Sequence, residues 1–119
     1  MRSALDQVLT HRPLPDDLRE RVVADSLAGT ADARLDWPRH GIAEDIGDAA
    51  GRIEVPVLVP AGERDQVDPP AVLAGRLLPF LPTAAMTVLR GTGHLSPLEV
   101  PGEIATRLER FVAGLGPAA

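Results

Sequence analysis

Two side chains in the second half of the sequence stand where chemistry could be done, Asp65 and His94. Asp65 lies in Ala61-Gly62-Glu63-Arg64-Asp65-Gln66-Val67-Asp68-Pro69-Pro70, and His94 closes Gly91-Thr92-Gly93-His94. Each stretch follows a short apolar run, and in open α/β sheets functional groups gather beyond the carboxyl ends of parallel strands. If the two runs are neighbouring strands, a carboxylate and an imidazole emerge on one rim. Imidazole changes charge near neutral pH, so such a pair is equipped to move protons. Gly62 allows a sharp turn off the first strand, and Gly93 is expected to give the histidine loop access to positive φ.

Each residue also has a plainer reading. Asp65 alone would be a turn aspartate bonding nearby backbone, and His94 alone a solvated loop histidine. Asp68 is the competing carboxylate, but just before Pro69-Pro70 it fits better as the N-cap of the next helix. His11 and His40 have no comparable setting and read as surface residues. Glu63 and Arg64 read as an exposed turn, Glu99 as a residue that fixes the histidine loop or caps the last helix, and Trp37 as a packing residue.

The elements that must position the pair divide near residue 50. Upstream the pattern is helical: Pro15-Asp16-Asp17 opens a helix carrying Leu18, Val22, Val23 and Leu27, stopped by Gly29. A shorter helix is expected over 31–35, ending before Trp37-Pro38, and a turn or two over 42–49. Downstream, Val55-Pro56-Val57-Leu58-Val59 reads as a buried parallel strand. Pro69-Pro70 opens a helix that Pro79 and Pro82 end, Met86-Thr87-Val88-Leu89 is a second strand, and Pro101 starts a final helix. That helix carries Ile104, Leu108, Phe111, Val112 and Leu115 on one stripe, expected to be core, with Glu103 and Arg107 paired at i,i+4 outside it. Two parallel strands make no stable sheet alone, so they read as the edge of a larger one.

Composition narrows the class. The chain has 119 residues, net charge −5, 45% hydrophobic residues and 3% aromatics, so its core must be aliphatic. All 12 basic residues are arginines, scattered singly, which is not the footprint of a nucleic-acid binder. The absence of cysteine removes disulfides, thiolate nucleophiles and cysteine-type zinc sites together. No apolar run approaches the ~20 residues that span a bilayer, and no signal-peptide h-region is present. The expectation is a cytoplasmic, bacterial protein that binds neither membrane nor nucleic acid.

The stretch from Ile53 to Pro70 (apolar strand, then Gly62-Glu63-Arg64-Asp65, then Val67 and proline) resembles the late strand and acid loop of α/β-hydrolase-fold enzymes. Gly91-Thr92-Gly93-His94, followed by Glu99 and Pro101, resembles their histidine loop and last helix, and 29 residues separate Asp65 from His94. The resemblance covers residues 42–112 and implies the C-terminal part of an α/β-hydrolase fold: a helical cap remnant (1–50), then a parallel βαβ unit and a final helix (51–119). It implies catalytic roles for Asp65, as the acid that orients the imidazole, and His94, as the base that takes and returns a serine proton. It implies a Ser-His-Asp serine hydrolase, esterase-like, acting on an ester or similar small substrate, with no metal or organic cofactor.

The sequence departs from that pattern in one respect. The Gly-x-Ser-x-Gly elbow that holds the nucleophile is absent. Ser3, Ser26 and Ser96 are the serines, and Ser96 follows His94 too closely in the chain to serve it. The chain is therefore expected to carry acid and base without nucleophile. A truncated gene product, a fragment complementing an N-terminal chain, a homo-oligomer, and a non-catalytic module pairing through its sheet edge all stay open. Dehalogenase or cofactor-free haloperoxidase chemistry on the same scaffold also stays open.

Overall fold

A computed structural model describes residues 3–116. The ends of the two expected segments, residues 1–2 and 117–119, lie outside them. Two compact units are present: Leu14–Gly47, and a second unit formed by the chain before and after it. Residues 3–13 belong to the unit that carries the sheet.

The Leu14–Gly47 unit contains α1 (Asp16–Ala28) and α2 (Ala31–Arg39). Asp16 and Asp17 occupy the first turn of α1, where negative charge complements the helix dipole. Thr30 caps α2 by accepting the Ala33 N–H at 3.1 Å. α2 does not stop before Trp37-Pro38 as expected; it runs to Arg39 with Pro38 inside it. Pro38 sits in the last turn, where it removes a single backbone donor, and the His40 N–H still closes onto the Asp36 carbonyl at 2.8 Å. Neither helix buries a residue, and Trp37 is 62% exposed.

In the sheet-bearing unit, α3 (Gly47–Ala50) precedes β1 (Val57–Gly62), α4 (Pro70–Arg76), β2 (Ala84–Leu89), α5 (Ser96–Glu99) and α6 (Pro101–Ala113). The two strands pair in parallel, from Val57 against Ala84 to Gly62 against Leu89, and form the whole of the described sheet. β1 begins later than its apolar run, so Pro56 falls outside and Pro60 inside. The Val57 N–H reaches Thr83 and the Glu63 N–H reaches Leu89, so odd-numbered donors face β2. Pro60, in even register, faces the free edge and costs the ladder nothing.

The best-buried side chains of this unit, Leu89 and Thr92, lie where β2 passes into the histidine loop. Leu5, Ala61, Leu81 and Val100 complete its apolar core. The stripe of α6 departs from expectation: Ile104 and Phe111 are half-buried, but Leu108 and Val112 are 46% and 64% exposed. Two strands are too narrow to cover a thirteen-residue helix face, so part of the stripe meets solvent. The Glu103–Arg107 pair forms at 3.0 Å, and Arg107 also donates to Thr87 of β2. No described helix is long and apolar enough to cross a membrane.

Candidate active site

β1 and β2 end side by side, so the loops that follow leave the same rim of the sheet. The acid loop is pinned to the histidine strand by backbone alone: the Glu63 N–H donates to Leu89 at 2.9 Å and the Arg64 N–H to Thr92 at 2.8 Å. A Cβ on Gly62 would overlap the Gly93 carbonyl oxygen and stand 2.6 Å from that of Thr92. Only glycine at position 62 lets the loops touch.

Asp65 turns back into this junction. Its Oδ1 accepts the Val67 and Asp68 N–H groups at 2.8 and 2.9 Å, an Asx turn that fixes the carboxylate. Its Oδ2 accepts from His94 Nδ1 at 2.9 Å. Burial pushes the Asp65 carboxyl up; the Asp68 N–H, the His94 ring and the Val67 N–H together outweigh it and hold the group below its usual value. The carboxylate acceptor assigns a proton to Nδ1, which leaves Nε2 of a neutral ring with its lone pair. The Asp65 side chain is 7% exposed and that of His94 31%, so the carboxylate is sheltered and the imidazole remains accessible.

The histidine loop has its own clamp. Both carboxylate oxygens of Glu99 accept the Gly93 N–H, at 3.1 and 3.0 Å. Glu99 Oε1 also accepts the His11 and Arg12 N–H groups at 2.9 and 2.7 Å. The Arg12 guanidinium spans the carbonyls of Arg90 and Gly91, both at 3.0 Å. The Leu95 N–H reaches Leu9 at 3.0 Å, and the Gln66 amide reaches Gln7 at 2.9 Å. Residues 5–12 thus strap both loops from below, a role their sequence does not signal. The expected positive φ at Gly93 is not found; among the described residues it falls on Gly91 and Gly116, at 59° and 72°. Gly93 is required for space instead, because a Cβ there would stand 2.6 Å from the His11 nitrogen.

The remaining candidates are scattered. His40 pairs with Asp36 at 3.0 Å on exposed α2, and Glu63 and Arg64 pair with each other at 3.3 Å in an exposed turn. Asp68 does not cap α4: Pro69 is the cap, no side chain bonds there, and Pro70 has no N–H to offer. Its carboxylate instead lies 4.0 Å from His94 Nδ1. Among the described residues no cluster of three His, Cys, Asp or Glu is placed to hold a metal.

No family model matches the sequence. The fold superposes on a membrane phospholipase A described as a bacterial virulence factor, with TM-score 0.74 at 23% identity, over 96% of this chain and 37% of that one. A thermophilic esterase from Thermogutta terrifontis matches with TM-score 0.57 at 25% identity, over 65% of this chain and 29% of that one. In sequence, 101 residues (85% of the chain) are 36% identical to the pimeloyl-(acyl-carrier protein) methyl ester esterase of Stenotrophomonas maltophilia (strain R551-3). The chain belongs to the α/β-hydrolase superfamily. It has the fold of the C-terminal part of an α/β-hydrolase and spans 38% of the length of that esterase. Each of the chain's three serines is held within its own local segment. Ser3 donates to Asp6 at 3.1 Å, Ser26 to the Val22 carbonyl at 2.8 Å, and Ser96 is buried at the start of α5.

Proposed function

We propose that the chain supplies the acid, Asp65, and the base, His94, of a Ser-His-Asp hydrolase whose serine comes from residues outside this sequence. The observation that carries the reading is the 2.9 Å bond from His94 Nδ1 to a buried Asp65 on the rim shared by two parallel strands. With Nδ1–H held by the carboxylate, Nε2 takes the proton of a serine hydroxyl as its oxygen attacks an ester carbonyl. The imidazolium returns that proton to the departing alcohol, and the same cycle with water releases the acid. Asp65 stays ionised throughout and stabilises the imidazolium, which suits a carboxyl already held below its ordinary value. The substrate is an ester or a similar small molecule, and the Leu14–Gly47 unit is read as part of a helical cap remnant.

The test is p-nitrophenyl ester turnover by this chain alone and with an N-terminal hydrolase segment carrying Gly-x-Ser-x-Gly. The chain alone gives background rates, and the pair gives turnover. Turnover by the chain alone that is lost in His94→Ala would contradict an external nucleophile.

A further inference from the structure

Asp68 is the charged group near the site that the reading above leaves without a task. The Asx turn that fixes Asp65 also carries Asp68: its backbone N–H donates to Asp65 Oδ1 at 2.9 Å, which swings residue 68 round to the imidazole. Its Oδ2 lies 4.0 Å from His94 Nδ1, the nitrogen that Asp65 Oδ2 already holds at 2.9 Å. The Asp68 side chain is 52% exposed and has no helix end to cap, so it is free to close the remaining ångström. Among the described carboxylates, these two are the ones within 4.0 Å of a His94 ring nitrogen; Glu99 is engaged with the Gly93 N–H.

We propose that Asp68 is a second, reserve acid for His94, a positioning residue that takes the Nδ1–H when Asp65 is neutralised. Resting on His94 as the base, the proposal assigns the acid role to a pair, one carboxylate sheltered and the other wet. The chemistry is a competition for one proton. In Asp65→Asn, the carbonyl oxygen of the substituted amide keeps the Val67 and Asp68 N–H groups, which turns the amide N–H toward Nδ1. That donor would force the ring proton onto Nε2 and abolish the base. A carboxylate accepting from Nδ1–H makes a charge-assisted bond, stronger than the amide's neutral one, so Asp68 keeps the proton on Nδ1. The same second charge faces the imidazolium when it forms.

The experiment is long-range ¹H–¹⁵N NMR of the His94 ring in this chain, reading which nitrogen carries the proton. Wild type, Asp65→Asn, Asp68→Asn and the double variant are compared near pH 8. Asp65→Asn is expected to keep the proton on Nδ1, and the double variant to move it to Nε2. A ring already converted to the Nε2–H form in Asp65→Asn would overturn the proposal, as would a double variant indistinguishable from Asp65→Asn. Should Asp65→Asn fail to fold, Asp68→Asn decides: its Nδ1–H should exchange with water about three-fold faster, the scale an exposed charge pair supports. Unchanged exchange would refute the reserve role. Turnover is read separately, so a protein that never hydrolyses esters would sink the hydrolase reading and leave this result standing.

Discussion

Gly62 and Gly93 meet backbone to backbone, so closely that a methyl group on Gly62 would overlap the Gly93 carbonyl oxygen. Carboxylate and imidazole reach each other because the loops that carry them are in contact at their roots.

Gly62→Ala should therefore damage the site and the fold together. The new Cβ meets two carbonyl oxygens of a loop that is itself clamped, so the loops must separate, at a cost of about 1–3 kcal/mol. Urea denaturation should register that loss, and the His94 Nδ1–H resonance should move or broaden. A variant with wild-type stability and an unchanged ring signal would show that the contact is slack.

Glu99 collects three backbone N–H groups, from Gly93, His11 and Arg12. Glu99→Ala leaves these donors without their acceptor, and part-buried donors cost about 1–3 kcal/mol each when stranded. Water reaches the exposed His11 and Arg12, so the net expectation is about 2 kcal/mol, with Glu99→Gln between it and wild type. Equal stability for Glu99→Ala and wild type by urea denaturation would contradict the clamp.

Acid should weaken the fold partly through Asp65. Its folded value lies below its ordinary one, so the stabilisation is complete above about pH 4 and is lost as pH falls through the lower, folded value. Between pH 5 and 2, the urea midpoint of wild type should fall more steeply than that of Asp65→Asn. Parallel slopes would mean that Asp65 gains nothing from His94 and its backbone donors.

Much of this was legible in the residues. Apolar runs ended by glycine place both strands and both loops, and the flanking motifs bring Asp65 and His94 to one rim. Two element ends differ from expectation at prolines: β1 runs past Val59 because Pro60 is harmless in register with the free edge, and α2 runs past Trp37 because Pro38 is harmless in a last turn. Leu108 and Val112 looked like core because periodicity reports an apolar face and says nothing of whether anything covers it. The strap over 5–12 is not legible because, apart from the Arg12 guanidinium, it works through backbone groups, to which no pattern of side chains points. Asp68 does not cap because α4 starts one residue later than its proline pair implies, with Pro69 itself in the cap position.

The central claim is that His94 is the base of a hydrolase completed from outside this sequence. Its most direct test is kcat for an ester in the completed protein, wild type against His94→Ala. The expected loss is about 10⁴-fold or more, because the serine is left without a proton acceptor. A His94→Ala protein that retains turnover within ten-fold of wild type would contradict it.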